Sequence, residues 1–222
     1  MNQYFLGGEN IVRRDAREIN TRAFVDAGGN PNVLVFSWAR ASFDRSYKRR
    51  DIVFNYFRSL GANSVEFIDY SAPTDEIAMK VELSNLVYLT GGIPSVLINR
   101  LKTKNVDRIL SKYKGVIVGR SAGALALCKK CVVTDRNNNT ISVIDGLGLV
   151  DFGAKVHYTP YNDIILRRFS GENHLFAIPS ASALVHTNGN LSVIGDVFLF
   201  RKGEKTRLTD SFSYSLAGLD YG

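Results

Sequence analysis

Short runs of apolar residues alternate along the first half of the chain with segments whose apolar side chains recur at helical spacing. The runs at 31–39 and 115–118 are continuous, which is typical of strands buried on both faces of a parallel sheet. The segment 46–61 instead repeats its apolar side chains on one side and closes on Gly61, as an amphipathic helix does. Strands and helices that alternate in this way predict an α/β fold with right-handed crossovers and a mostly parallel sheet.

The second half of the chain has a different pattern. Residues 132–152 and 186–208 contain short apolar runs separated by turn residues, and these predict short strands and hairpins. The small and apolar residues after Ser121 predict a helix that reaches Lys130. The sequence contains no linker, internal repeat or low-complexity stretch, so residues 1–222 are predicted to form one α/β domain.

Composition narrows the classes of function. The net charge of +7 permits attraction to nucleic acid, but the basic residues are scattered and form no stripe, so no nucleic-acid partner is predicted. With no apolar run of about 18 residues and no signal-peptide pattern, we expect a cytoplasmic protein without a membrane partner. Cys128 and Cys131 are predicted at the end of a helix, one turn apart. Two cysteines are too few for a disulfide framework or for the roughly four ligands of a zinc site, so neither metal nor cofactor is predicted.

The sequence GVIVGRSAGALAL places a polar side chain at the predicted junction of a strand and a helix. Gly119 and Gly123 flank Ser121 two residues away on each side, and the residue after the serine is also small. Tiny neighbours leave room for a sharp turn that keeps the serine hydroxyl accessible, which is the arrangement of a nucleophile elbow. The alternative is a structural turn whose serine caps the helix.

Backbone N–H groups near this serine are candidates for an oxyanion hole. The N–H of Ala122 opens the predicted helix, where the helix dipole favours negative charge. A second donor would come from Gly91 or Gly92, in the glycine turn that follows the preceding strand. Two such donors would stabilise the negative oxygen of a tetrahedral intermediate in acyl transfer.

A serine nucleophile needs a base, because its hydroxyl is barely ionised at neutral pH. The chain has three histidines. His157 ends an apolar segment just before the turn at Pro160, where a strand end would deliver a base to the site. His174 lies in a polar loop and His186 precedes a hairpin tip. We therefore predict His157 as the partner of Ser121.

Four motifs together resemble the aspartyl dipeptidase (peptidase E) family of serine peptidases, which also contains the cyanophycinases. They are LTGGIPSVL, GRSAGA, GLGLVDF and VHYTPYN, and the resemblance covers about residues 34–193. It implies a three-layer α/β sandwich, flavodoxin-like and akin to class I glutamine amidotransferases. It also implies that short peptides with an N-terminal aspartate are hydrolysed through an acyl-enzyme. By resemblance, Ser121 is the nucleophile, His157 the base, and Gly92 and Ala122 the oxyanion donors.

The sequence departs from the family at the third member of the triad. The family carries an acid, usually Glu, late in the chain, where this sequence has Ser180. A hydroxyl can accept the imidazole N–H of His157, but it brings no negative charge to stabilise the imidazolium. Asp135 matches a second aspartate of the family and is the best candidate for the missing carboxylate. Its alternative role is that of an aspartate in a hairpin turn.

Two arginines are candidates for binding an acidic substrate. Arg120 stands beside the nucleophile, where the family more often has Trp or Glu, and could bind a carboxylate through two hydrogen bonds or face solvent. Arg167 falls, with Arg168, where the family carries arginines linked with recognition of acidic substrates. One of these two is expected on a solvated helix face.

The sequence therefore predicts a serine peptidase of the dipeptidase type that acts on small peptides. It leaves open whether the protein is a monomer or a homodimer. The alternative is a non-catalytic or altered-specificity member of the family that binds acidic peptides, because Ser180 replaces the expected acid.

Overall fold

The structure, a computed structural model, describes residues 1–40, 49–134, 140–171, 174–209 and 213–215. The strands of the first half are β1 (Asn2–Leu6), β2 (Asn32–Phe36), β3 (Ser64–Phe67), β4 (Leu86–Leu89) and β5 (Val116–Arg120). Those of the second half are β6 (Cys128–Thr134), β7 (Ile141–Asp145), β8 (Val150–Val156), β9 (Leu175–Ile178), β10 (Ala183–Thr187), β11 (Asn190–Ile194), β12 (Val197–Arg201), β13 (Glu204–Leu208) and β14 (Ser213–Ser215). The helices are α1 (Arg17–Asp26), α2 (Arg50–Ser59), α3 (Thr74–Leu83), α4 (Pro94–Thr103), α5 (Val106–Lys112), α6 (Ala122–Leu127) and α7 (Asp163–Ser170), with a 3₁₀ turn at Pro160–Asn162.

The larger sheet contains the strands of the first half. Its eight described strands lie in the order β14-β11-β10-β1-β5-β4-β2-β3. The pairings from β1 through β5, β4 and β2 to β3 are parallel, whereas β10, β11 and β14 extend the sheet in antiparallel fashion. The turns that follow β1, β4 and β5 therefore meet at one edge, which is where open α/β sheets bind their ligands.

Successive residues of the central strand β5 point to opposite faces of the larger sheet. Val116 and Val118 pack with α1 and α2 in one buried cluster. Ile117 belongs to a second cluster with α3, α4, α5 and α6. This alternation explains why Val116, Ile117 and Val118 are all apolar, since both faces of the strand are buried there.

A second sheet lies against the second cluster. Its six described strands have the order β13-β12-β9-β8-β6-β7, with parallel pairing from β6 through β8 to β9 and antiparallel pairing elsewhere. The rings of Phe5 in β1 and Phe152 in β8 lie 5.2 Å apart, so the two sheets share this core. On the other face of the second sheet, Leu166 of α7 packs against Leu175 and Phe200.

The predicted α/β class with a mostly parallel sheet is confirmed, but the predicted helix after Ser121 is too long. It ends at Leu127, and the next residues form strand β6. The prediction that Cys128 and Cys131 lie one helical turn apart is therefore wrong. A register shift between Cys128 and Lys130 lets both thiols face the core although their spacing is odd. Both cysteines are free.

The region between β4 and β5 contains two helices rather than one. It divides into α4 and α5 at Lys104 and Asn105, and Asn105 has a φ of 55°. Asparagine tolerates this left-handed conformation better than most residues, so it allows the chain to turn between the two helices. In the described part of the chain, no helix is long and apolar enough to cross a membrane.

Candidate active site

Ser121 lies at a sharp turn between β5 and α6. Its φ of 52° and ψ of −108° are unfavourable for a residue with a side chain. Two glycines make the turn sterically feasible. A Cβ on Gly119 would stand 2.6 Å from the backbone nitrogen of Ala124, and one on Gly123 would collide with the carbonyl of Leu89 in β4. The small residues on both sides of Ser121 therefore allow α6 to pack directly against the sheet.

The hydroxyl of Ser121 points away from its own helix. Its Oγ lies 2.8 Å from Nε2 of His157, and Ser121 makes no side-chain capping bond to α6. The alternative that this serine caps the helix is thus wrong. His157 follows directly on β8 and has a φ of 50°, so its ring leaves the strand direction at the position where it meets the serine.

The other ring nitrogen of His157 contacts the residue that stands in place of the expected acid. Nδ1 lies 3.0 Å from Oγ of Ser180. A neutral imidazole that accepts the Ser121 proton at Nε2 carries its own proton on Nδ1. In this tautomer the Nδ1–H donates to Ser180, and the three side chains form one chain of hydrogen bonds.

The turn after β1 connects the three segments that carry these side chains. The carbonyl of Leu6 accepts the N–H of Ser121 at 2.9 Å, and that of Gly7 accepts the N–H of His157 at 3.0 Å. The carbonyl of Gly8 accepts the N–H of Ala181, next to Ser180, at 2.8 Å. In the sequence, Gly7 and Gly8 indicate only a turn after a short strand and do not reveal this role.

Gly8 is also in close contact with the imidazole. A Cβ on Gly8 would stand 2.8 Å from Oγ of Ser180 and 2.5 Å from Nδ1 of His157. Even a methyl group would therefore displace the ring or its partner. The adjacent glycines in the first ten residues were the available sequence signal for this close approach.

The glycine turn after β4 lies beside Ser121. A Cβ on Gly91 would be 3.2 Å from Cβ of Ser121, and a Cβ on Gly92 would collide with the carbonyl of Ala39. The N–H of Ala122 belongs to the first turn of α6 and has no acceptor within the helix. The structure thus brings the two segments that contain the candidate oxyanion donors next to the serine.

Arg120 is buried, with 5% of its surface exposed, so the alternative that it faces solvent is wrong. Burial raises the pKa of the nearby Glu9, and the positive charge of Arg120 opposes that shift more than any other group does. The two side chains therefore interact electrostatically at the ends of neighbouring strands. Whether Arg120 binds a substrate carboxylate stays a prediction.

The remaining candidate residues lie elsewhere or outside the described residues. Arg167 is exposed on α7, and its Nη1 donates to the carbonyl of Gly203. His186 bonds Gln3 through Nδ1 at 2.8 Å, away from the Ser121 hydroxyl. Asp135 falls in the segment 135–139, outside the described residues, and its role stays a prediction. Within the described ranges, no three His, Cys, Asp or Glu side chains are grouped so that they could hold a metal ion.

Comparison with known proteins decides the family. The model of peptidase family S51 matches residues 23–206. This chain belongs to peptidase family S51. The resemblance to the peptidase E family that its motifs predict is confirmed.

Three proteins similar to this S51 chain share 20–26% of its residues over the aligned regions. An uncharacterized peptidase of Listeria monocytogenes serovar 1/2a is 26% identical over an alignment of 134 residues, which covers 54% of this chain and 65% of the relative. The match thus spans just under two thirds of that relative's length. A crystal structure of a peptidase from an acI-B1 Actinobacterium superposes with a TM-score of 0.72 at 21% identity and covers 96% of both chains. A putative peptidase E protein of Listeria monocytogenes EGD-e gives a TM-score of 0.66 at 20% identity, over 87% of this chain and 97% of that one. At these identities, the two solved structures show that the fold is shared.

Proposed function

We propose that this S51 chain is a serine peptidase that cleaves short peptides through an acyl-enzyme on Ser121. The observation that carries the proposal is the 2.8 Å contact between Oγ of Ser121 and Nε2 of His157, made by a serine in a strained turn. A capping or packing serine would not need this conformation. A serine that must reach both a base and a substrate carbonyl does.

The reaction follows from the positions of these atoms. Oγ of Ser121 attacks the peptide carbonyl while Nε2 of His157 takes the hydroxyl proton. The N–H groups of Gly92 and Ala122 stabilise the negative oxygen of the intermediate. The C–N bond then breaks, and the amine leaves with the proton from Nε2. A water molecule next gives a proton to Nε2 and attacks the acyl-enzyme, and collapse of this second intermediate releases the acid and returns the proton to Ser121.

Ser180 makes this proposed triad unusual. Its hydroxyl fixes the ring of His157 in the productive orientation and tautomer through the contact to Nδ1. It supplies no charge to the imidazolium that forms during attack. We therefore expect a slower enzyme than one with a carboxylate at this position, unless Asp135 provides that charge.

The proposed substrates are dipeptides with an N-terminal aspartate. The family resemblance supports this class, and Arg120, next to the nucleophile, is the first proposed cation for the acidic group. Arg167 is the second proposed cation for the acidic group on the family resemblance alone, since its Nη1 donates to the carbonyl of Gly203 in the structure. We place the activity in the cytoplasm, which is consistent with two free cysteines in the core.

Hydrolysis of a dipeptide panel tests this proposal. Asp-X dipeptides should be cleaved faster than the matching Asn-X and Ala-X dipeptides, and Ser121→Ala should abolish cleavage. Ser142→Ala, which alters an exposed serine of β7, is the matched control and should retain full activity. If no peptide is cleaved but Asp-X peptides raise the melting temperature, the protein is an acidic-peptide binder and the catalytic proposal is wrong.

A further inference from the structure

The side chain of Glu9 is held by three buried polar residues from three different elements. Asn20 of α1 donates from Nδ2 to Oε1 at 3.2 Å, and the hydroxyl of Tyr88 in β4 donates to Oε2 at 3.4 Å. The hydroxyl of Tyr56 in α2 accepts a hydrogen bond from Asn20 at 3.2 Å, and it lies close enough to Glu9 to lower the pKa of that carboxylate. Each of these three residues is at most 1% exposed.

Burial of these hydrogen-bond donors destabilises the folded protein unless an acceptor forms hydrogen bonds with them. Tyr56, Tyr88 and Asn20 lie in or beside the apolar cluster under α1 and α2. The carboxylate of Glu9 completes this group and compensates the buried charge of Arg120. The side chain of Glu9 is thereby hydrogen-bonded to α1 and β4 and interacts electrostatically with Arg120 of β5.

Glu9 ends the turn whose carbonyls bind the three active-site segments. Leu6, Gly7 and Gly8 bond the N–H groups of Ser121, His157 and Ala181, as described above. We define residues 6–9 as the β1 turn. Gly8, which contacts the imidazole and Ser180, is the immediate neighbour of Glu9. A displacement of residue 9 would therefore be transmitted to the ring of His157 through one peptide unit.

We propose that Glu9 is a positioning residue that anchors the β1 turn and, through Gly8, fixes the imidazole of His157 between Ser121 and Ser180. The effect of Glu9 on catalysis rests on the proposed function. Its effect on the geometry of the His157 imidazole is independent of that function. The hydrogen bonds of the Glu9 carboxylate go to Asn20 and Tyr88, so we infer that it acts on His157 through the backbone of the β1 turn.

Two measurements on Glu9→Ala test this inference. Long-range ¹H–¹⁵N spectra report the tautomer of each of the three histidines, and His186, which bonds Gln3 and Gly189, is an internal reference. The rate constant of covalent labelling by a fluorophosphonate reports the reactivity of Ser121. Partial unfolding lowers the labelled fraction at completion, whereas a misplaced imidazole lowers the rate constant at full labelling.

We expect Glu9→Ala to shift the His157 signals away from the Nδ1–H form and to slow labelling by about 10- to 100-fold, since a misplacement of about 1 Å costs about 100-fold. Glu9→Gln keeps an oxygen that accepts from Asn20 and should stay within about fivefold of wild type. Glu76→Ala, which removes an acid that pairs with Lys80 on α3, is the matched control and should leave both readouts unchanged.

Unchanged His157 signals in Glu9→Ala would overturn the inference, whatever the labelling rate. If wild type is not labelled at all but the His157 signals move in Glu9→Ala, the proposed function fails and the positioning role is supported. If Glu9→Ala does not fold, Glu9→Asp takes its place, because the shorter side chain withdraws the carboxylate from Asn20 and Tyr88. Unchanged His157 signals in Glu9→Asp would then overturn the inference.

Discussion

Replacing Ser180 by alanine measures what a neutral third residue contributes to the proposed catalysis. The substitution removes the Oγ atom that lies 3.0 Å from Nδ1 of His157 and leaves the backbone bond between Gly8 and Ala181 in place. Ser180 is exposed, so water can replace the lost hydroxyl as a partner of the ring. The perturbation is thus confined to one hydrogen bond.

The size of the effect follows from the nature of that bond. A hydrogen bond between neutral partners contributes about 0.5–1.5 kcal/mol. At about 1.4 kcal/mol for each tenfold change in rate, its loss corresponds to a fall of about 2- to 13-fold. Loss of a triad carboxylate costs about 10⁴-fold, because it also removes the negative charge and the correct tautomer. The rate loss expected for the neutral hydrogen bond is therefore about three orders of magnitude smaller than that for a triad carboxylate.

The assay is hydrolysis of the best dipeptide of the panel, followed at several pH values, with fluorophosphonate labelling as a second readout. Ser180→Ala should reduce kcat by about 2- to 13-fold and leave KM nearly unchanged. Ser142→Ala serves again as the control. A loss of 10³-fold or more would refute the reasoning, because it would show that Ser180 does far more than accept one neutral hydrogen bond.

Three further predictions concern stability and reactivity. Gly123→Ala should lower the free energy of unfolding by about 1–3 kcal/mol, because the new methyl group collides with the carbonyl of Leu89; an unchanged melting temperature would contradict this packing. Burial lowers the pKa of His186 below its usual 6.5, so the unfolded chain binds a proton that the folded protein does not. Stability should therefore fall as the pH drops below about 6.5, by at most about 1.4 kcal/mol per pH unit, and denaturation curves of His186→Gln should show a smaller fall. Burial raises the pKa of Cys128 and raises that of Cys131 to about 12, so iodoacetamide should modify neither thiol at pH 8 until the protein is unfolded; rapid modification of the native protein would contradict their burial.

The first half of the fold is predictable because each element has a local cause. A strand such as β5 is apolar on both faces, and a helix such as α2 has one apolar side and ends near Gly61. The first residues of β6 are not predicted as strand, for the opposite reason. Residues Cys128–Lys130 continue the helical pattern of α6, and only the pairing with β7 and β8 makes them a strand. Such pairing joins residues that are distant in sequence, and no local pattern contains it.

The candidate site likewise contains residues that the sequence predicts and residues that it does not. The elbow at Ser121 is visible because a sharp turn requires tiny neighbours on both sides, and His157 is visible because few histidines compete with it. In the β1 turn the adjacent glycines indicate a close approach, but the bonds made by the backbone carbonyls of residues 6–8 are not predictable, since any sequence provides such carbonyls. Glu9 was missed for a related reason: its partners come from α1, α2 and β4, and only the folded chain brings them together.

The central claim is that the hydroxyl of Ser121 is a nucleophile activated by His157. Mass spectrometry of the protein after reaction with a fluorophosphonate tests it most directly. We predict one adduct, located on Ser121, that is absent in Ser121→Ala and forms far more slowly in His157→Ala. An adduct on another residue, or labelling that is unchanged in His157→Ala, would contradict the account.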